Sequence, residues 1–486
     1  MKLKDDASAE KLLGSFYTPE PIADFILKWS TDGNENFDIL EPSAGDGVFL
    51  RRIKEGRYEY RSVTAVEIES TEAKKIESIN LPRSTVKLGD FLEYCNTTKD
   101  KFDLVVGNPP FIRYQYFDKK QRAEAEEIFQ KAGLKYSKLA NPWVSFIVGS
   151  TLLLKERGKI GFVAPAEILQ VGYASQVRNF LAGFYNKIVI VSFKKLIFPP
   201  VQQEVVLLFC EKTNNGSHMI EHVELESAED LARVDVTQLK SPKKRIDFQS
   251  NKWTFYFLDQ PEIDFIERLL TEKKVPTFGQ HAKAEVGMTT GSNKYFTVPL
   301  SIVEEYDLKD YAKPMVGRSV QVHSAIFTSK DWQENIKAGA RAFFLKLPTM
   351  KELKNNKKAL EYIRLGEKER INKKYYKTRI REEWQIVPSA WASPALFQRR
   401  NNIHPKLVVN QVKAYTTDTM HRVIVDMNVD IDAFVASYYN SLSLAFAEIC
   451  GRSHGGGALE LMPNEVERIL LPYREENSAI LHQIDR

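Results

Sequence analysis

Cysteine is scarce in this chain: Cys95, Cys210 and Cys450 are far apart, and none belongs to a CxxC pair. That usage excludes a disulfide framework and offers no thiolate zinc site. The eight histidines are read as forming no HxxxH or His/Cys pair, so no metal is assigned. The opening stretch, MKLKDDASAEKLL, has no apolar core and does not read as a signal peptide. The longest apolar run, near Trp143 to Leu154, is short and interrupted by small polar residues, which argues against a bilayer span. A soluble, cytoplasmic protein with no membrane partner is the expectation.

Length and composition then bound the architecture. With 486 residues, 43% hydrophobic and 27% charged, the chain is globular in composition and long enough for two or three domains. The net charge of +5 conceals an asymmetry. Arg341 to Lys413 holds 18 Lys and Arg against 6 Asp and Glu, an excess of 12, so the remainder carries −7. Part of this stretch reads as a solvated Lys/Glu helix face. Interleaved with Tyr375, Tyr376, Trp384, Trp391, Phe397 and Tyr415, the excess fits a polyanion-binding surface better.

The most informative stretch is FDLVVGNPPFIRY, Phe102 to Tyr114. Leu104, Val105 and Val106 give a short buried-strand signal that Gly107 stops. Two successive prolines, Pro109 and Pro110, then remove two N–H donors and fix φ twice, so Asn108-Pro109-Pro110-Phe111 is neither helix nor ladder. A rigid corner at the carboxyl end of a strand is where open α/β sheets keep ligand sites. The corner presents an amide, a carbonyl and an aromatic ring. The Asn108 side-chain oxygen and the Pro109 carbonyl suit acceptance of two hydrogen bonds from an exocyclic amine of adenine, with Phe111 against the base. A Pro-Pro turn that merely closes a strand fits the tetrapeptide equally well.

Upstream, Tyr17-Thr18-Pro19-Glu20-Pro21 leads into apolar Ile22, Phe25, Ile26 and Trp29 at helical spacing, with Thr18 expected as the cap and Pro19 at the first helical position. Ile39 and Leu40 end a strand, Glu41-Pro42-Ser43-Ala44-Gly45-Asp46-Gly47 makes a small-residue turn, and Val48 opens a helix. This arrangement aims a helix N-terminus at a ligand, but it is neither GxGxxG nor a P-loop, so a phosphate cradle is not expected. A second strand ends in Glu67 and Ile68, about where βαβ nucleotide sites place the acid for ribose hydroxyls. A third ends before Asp90 and Phe91. Polar residues at four successive strand ends, in α/β alternation, point to one site.

The series FYTPEPI, LEPSAGDG, VEIES, GDFLEY, NPPF resembles that of TaqI-type, gamma-class DNA adenine-N6 methyltransferases, and the likeness continues through YSKLANPWVSFIVGSTLLLKERGKIGFVAPAEIL. It covers Gly14 to Phe209 well and the remainder more loosely. The resemblance implies S-adenosylmethionine as cofactor and an adenine flipped out of duplex DNA as substrate. It implies Tyr17, Thr18 and Pro19 beside the methionine part, Glu41, Pro42, Ser43, Ala44 and Gly45 along the cofactor turn, and Glu67 on the ribose. Ile68 would pack on the cofactor adenine, Asp90 would bond its amino group, Phe91 would lie nearby, and Asn108 would touch both cofactor and base. Phe198, in the loop Phe198-Pro199-Pro200, would stack on the second face of the flipped base. Two departures stand out: Phe111 where the best-known relatives have Tyr, and the richer glycine turn Gly45-Asp46-Gly47.

The implied fold is α/β: a doubly wound Rossmann-like methyltransferase domain over residues 1–250, the boundary falling near Ser250, then a mixed α/β target-recognition domain over 251–486. In the latter, VGMTTGSNKYF and GRSHGGGALELMP are glycine-rich punctuation, and Lys294, Arg318, Arg399, Arg400, Lys413 and Arg452 are candidate DNA contacts. No nuclease domain is expected before Gly14, so any cognate restriction endonuclease would be a separate partner. Two rivals stay open: an N-methyltransferase acting on RNA or on a protein glutamine, and a DNA-specificity subunit with a vestigial methyltransferase fold.

Overall fold

The structure, a computed structural model, describes residues 17–31, 36–56, 58–111, 114–138, 140–198, 204–213, 217–234, 242–246, 252–453 and 458–485. Four features read from the sequence lie outside these residues: the start of the first motif at Gly14, the Pro199-Pro200 pair, the boundary at Ser250 and the triplet Gly455-Gly456-Gly457. The chain forms two compact units, Met1–Glu267 and Arg268–Arg486. The first runs on to Glu267 because Trp253, Tyr256 and Ile263 are buried in its core.

In the first unit, helices and strands alternate: α1 (Glu20–Ser30), β1 (Phe37–Glu41), α2 (Val48–Gly56), β2 (Tyr60–Glu67), α3 (Ser70–Ser78), β3 (Ser84–Leu88), α4 (Phe91–Thr97) and β4 (Phe102–Gly107). α5 (Lys119–Lys131), α6 (Trp143–Leu152), β5 (Leu154–Pro165), α7 (Ser175–Phe184), β6 (Lys187–Phe193), β7 (Val205–Glu211), β8 (Met219–Leu225) and β9 (Lys244–Arg245) follow. All nine strands form one sheet, in the order β3-β2-β1-β4-β5-β7-β6-β8-β9. β1 to β5 are mutually parallel, and β7 runs antiparallel to both β5 and β6.

The burial pattern explains the layering. Because successive strand residues face opposite sides, Ile39, Leu104, Val106 and Leu207 join one apolar cluster with α1, α2 and α3. Their neighbours Leu40, Val105 and Leu208 join the other, with α4, α5, α6 and α7. Covering both faces is what a largely parallel sheet of such apolar strands requires. From β1 the chain moves outward through β2 and β3, then returns to β4 on the other side. That reversal opens a crevice at the carboxyl ends of β1 and β4.

Local details follow the sequence with two exceptions. The first helix starts one residue later than the Thr18 cap predicts: Pro19 is the N-cap, its carbonyl accepting from the Ile22 and Ala23 amides at 3.0 and 3.2 Å, and Thr18 makes no capping bond. Pro21 lies within the first turn, where it displaces no intrahelical bond. The second exception is a histidine pair. His218 and His222 do form an HxxxH spacing, contrary to the sequence reading, but His222 lies in strand β8 and His218 just before it, so they do not share a helix face. The ring nitrogen Nδ1 of His218 bonds the Ala182 and Tyr185 carbonyls, and His222 bonds Ser192 Oγ at 2.8 Å. Among the described residues no three His, Cys, Asp or Glu gather as a metal site, and no helix is long and apolar enough to cross a membrane.

The second unit has a five-stranded sheet, ordered Ala282–Val286, Met420–Val425, Ala395–Gln398, Leu407–Asn410 and Ile326–Phe327. It also has a four-stranded sheet of Thr297–Val298, Phe343–Leu345, Ala312–Val316 and Tyr415–Thr416. An aromatic group of Tyr295, Phe296, Tyr362 and Trp384 packs under the second sheet, Tyr295 and Tyr362 stacked at 4.6 Å. The Tyr295 hydroxyl donates to the Tyr362 carbonyl at 3.0 Å and the Tyr362 hydroxyl to the Tyr295 carbonyl at 2.6 Å.

Gly47 sits at φ +77° between β1 and α2, and a Cβ there would lie 2.6 Å from Ile79 Cδ1. The Ile tip can move, but the left-handed backbone cannot easily be kept by another residue. Gly47→Ala should therefore lower stability by about 1–3 kcal/mol, read as a lower urea midpoint at unchanged m value.

Candidate cofactor and catalytic site

The carboxyl ends of β1, β2 and β4, with the residues just after β3, surround a cavity of about 310 Å³. Its described lining residues all belong to the first unit. Its floor is the turn after β1, whose shape is set by Gly45 at φ +54° and Gly47 at φ +77°. Glu67, at the end of β2, clamps that turn. One carboxylate oxygen accepts from the Gly45 amide at 2.7 Å and the other from the Glu69 amide at 2.8 Å. Burial raises the Glu67 carboxyl above its ordinary range, and the backbone N–H groups of Glu69, Gly45 and Ile68 pull the other way.

Glu41 is more extreme. It is 2% exposed and lines the cavity, and among the described residues its Oε2 has no hydrogen-bond partner. Burial, reinforced by Asp46 and Glu67, pushes its carboxyl well above the usual value near 4.5.

Asp90 caps α4, one oxygen accepting from the Leu92 amide at 2.7 Å, while the other accepts from the Gln121 side-chain amide at 2.7 Å. Gln121 stands in a capping box with Asp118 at the start of α5, so its carbonyl serves the helix end and its NH2 serves Asp90. Asn108 directly follows β4, and its backbone carbonyl accepts from Ser43 Oγ at 3.2 Å, joining the catalytic turn to the glycine turn.

The cavity thus gathers Tyr17, Thr18, Glu41, Pro42, Ser43, Ala44, Gly45, Glu67, Ile68, Asp90, Phe91 and Asn108. It does not gather Pro19, Pro109, Phe111 or Phe198. Pro19 is the cap of α1 and Pro109 is buried. Phe111 is half-buried, between the two apolar clusters. Phe198 is 8% exposed and belongs to the cluster with Val191, Val205 and Leu207, on the core side of its loop. Sequence reasoning did not single out Tyr116, Phe117, Gln121, Pro142 and Phe146, which close the cavity from the segment after the Asn108 turn. The Asp118-x-x-Gln121 spacing was a readable capping signal, but its reach to Asp90 is a tertiary fact.

One property of the lining was also not readable beforehand. It includes six acids, Glu41, Asp46, Glu67, Glu69, Glu72 and Asp90, and among the described residues no Lys, Arg or His. Two bases outside the lining pair with its acids, Arg51 with Asp46 and Lys75 with Glu72, both at 2.7 Å.

In the second unit the predicted DNA contacts divide into two groups. Arg399 and Arg400 both pair with the buried Glu460, at 3.1 and 2.8 Å, and Arg452 pairs with the buried Glu465 at 2.9 Å. Lys294, Arg318 and Lys413 are exposed and form no ion pair among the described residues.

Two family models match the chain. One is described as Eco57I restriction-modification methylase, over residues 47–198. The other is the C-terminal domain of type II methyltransferase M.Eco57I, over residues 250–486. Over these two stretches the chain is similar to the Eco57I-type restriction-modification methylases. Type II methyltransferase M.AccI of Acinetobacter calcoaceticus is 25% identical to this chain, over 94% of the chain and 85% of its own length. M.HincII of Haemophilus influenzae is 28% identical over 48% of the chain and 44% of its own length. Among solved structures, a nuclease-deletion mutant of the type ISP restriction-modification enzyme LlaGI, in complex with a DNA substrate mimic, aligns with TM-score 0.53 and 12% identity, covering 96% of the chain and 54% of that protein. The DrdV–DNA complex aligns with TM-score 0.51 and 13% identity, covering 86% and 50%. At these identities the likeness is one of fold, a mixed α/β methyltransferase-like architecture.

Glu41 yields a pH prediction. Below about pH 4.5 its carboxyl is protonated whether the chain is folded or not, so burial costs nothing there. Above that, the unfolded chain releases the proton before the folded one, and stability falls with rising pH at up to about 1.4 kcal/mol per unit. Glu41→Gln should therefore melt progressively higher than wild type, without added cofactor, as pH rises from 4.5 to 8. A constant difference across that range would contradict the assignment.

Proposed function

We propose that this protein is a site-specific DNA adenine-N6 methyltransferase of a type II restriction-modification system, with S-adenosylmethionine as methyl donor. The observation that carries the reading is an acid-lined cavity at the strand ends of the sheet, opening beside the proline-stiffened Asn108 corner. Six acids with no basic residue among the described lining suit a ligand bearing a sulfonium and an ammonium, and repel a polyphosphate. The resemblance in the first half and the relatedness to type II methyltransferases both support it.

When bound, S-adenosylmethionine supplies an electrophilic methyl group. The chain's own groups do the rest. Glu67, already fixed by two backbone amides, keeps lone pairs for a ribose diol, and Ile68, 55% exposed, offers an apolar face for a purine. Asp90 is aimed by Gln121 and its own cap, which suits it to an exocyclic amine. The buried Glu41 meets the positive end of the ligand, and ionising it there lets it gain a partner for its buried oxygen.

At the corner, the Asn108 side-chain oxygen and the Pro109 carbonyl accept from the two N–H groups of an extruded adenine amine. This localises the nitrogen lone pair for attack, and the proton lost after methyl transfer passes to water. The contribution is alignment and a dipole fixed toward developing positive charge. Phe111 and Phe198 would stack on the base once their side chains leave the apolar packing they now share. Double-stranded DNA is the substrate, and a restriction endonuclease of the same system is the candidate partner.

The test is incubation with labelled cofactor and mixed-sequence duplex DNA, followed by detection of N6-methyladenine. Asn108→Ala should reduce turnover by at least about 100-fold, on the scale of losing one fixed dipole, with cofactor affinity within a few-fold of wild type. Full turnover in that variant would remove the role given to the amide. Methylation of RNA or of a protein glutamine instead of DNA would favour the rival substrate.

A further inference from the structure

The charge excess of the second unit is not spread evenly over its surface. Between Arg370 and Arg381 the chain carries Arg370, Lys373, Lys374, Lys377, Arg379 and Arg381 and no acid at all. Two short helices, Ile371–Lys374 and Tyr376–Arg379, make up the segment. It is held by its small inward side: Ile371 and Thr378 are buried, and Thr378 Oγ1 donates to the Ile371 and Tyr375 carbonyls at 2.6 and 3.0 Å. The other side is turned out. Lys373, Lys374, Lys377 and Arg379 are exposed, and Tyr376 is 63% exposed between Lys377 and Arg379, each 5.9 Å from its ring.

None of these six cations forms an ion pair among the described residues. That separates them from Arg399, Arg400 and Arg452, whose charge is already met by Glu460 and Glu465. The nearby Glu383 does not compensate either, since it accepts from the Met350 amide and the Gln385 side chain. A protein bears such uncompensated repulsion only at a cost, which a polyanion relieves.

The segment is also firmly mounted. Arg381 donates to the Thr289 carbonyl at 3.0 Å and lies over Phe296, and a Cβ on Gly291 would come within 3.0 Å of Thr378. Behind it stand Trp384 and the Tyr295–Tyr362 pair.

We propose that residues 370–381 are a phosphate grip for duplex DNA, in which Lys373, Lys374, Lys377 and Arg379 meet backbone phosphates and Tyr376 packs against the sugar edge. This rests on the reading of the protein as a DNA methyltransferase and adds the surface that holds the duplex without reading its sequence. Contacts of this kind position a duplex, whereas base contacts specify it.

The experiment is duplex binding by fluorescence anisotropy from about 50 to 300 mM salt, for wild type and for Lys373→Ala/Lys374→Ala/Lys377→Ala. Each phosphate contact contributes roughly 0.9 to the log–log salt slope. The triple variant should flatten the slope by about two to three and weaken binding more than tenfold at low salt, by the same factor on duplexes of unrelated sequence. Cofactor affinity and melting temperature should not change. The matching triple Lys→Arg variant should restore the slope, and Tyr376→Ala should weaken binding severalfold without altering it. If the triple variant folds poorly, Lys374→Gln and Lys377→Gln alone should each remove about one unit of slope. An unaltered slope in the variants, or failure of the arginine variant to restore it, overturns the grip. A wild-type protein that binds no duplex overturns the reading beneath it instead.

Discussion

The Glu67 carboxylate is the constraint on which the site depends. By accepting from Gly45 and Glu69 it fastens the turn after β1 to the end of β2, and so fixes two walls of the cavity at once. Ser43 extends the tie to the third wall through the Asn108 carbonyl. Three strand ends are thereby held in register by two side chains. Without Glu67, the glycines that give the turn its left-handed shape would leave it the most mobile part of the sheet edge.

Much of the first unit was legible in the sequence because its signals are local. Short apolar runs mark β1, β2 and β4, and small residues mark the turn after β1. Two prolines mark the corner after β4. Each is decided by a few neighbouring residues, and the cavity gathers most of what they marked. The features that escaped are tertiary. Nothing local told that Gln121 would reach Asp90 or that Tyr116 and Phe146 would close the cavity. The Thr18 cap failed by one residue because Pro19 already supplies the carbonyl that the helix start needs. In the second unit, charge was visible but its partners were not. Arg399 and Arg400 looked as available as Lys294 and Lys413, and the fold shows that a buried acid, Glu460, already pairs with both.

The two units divide the electrostatic work. The cavity of the first collects acids, which suits a cationic donor and disfavours phosphate. The second unit collects cations that its own carboxylates leave unmatched over 370–381.

The shared carboxylate of Glu460 carries a consequence for how such a surface can change. It is 6% exposed and neutralises two guanidiniums together. Loss of this single acid would leave the partly buried Arg399 with only Asp418, 3.8 Å away, and the half-exposed Arg400 with no acid partner, weakening the local packing while raising the local positive charge. A lineage could therefore trade rigidity for stronger, less selective attraction to nucleic acid in one step, and recover solidity later by substitutions elsewhere.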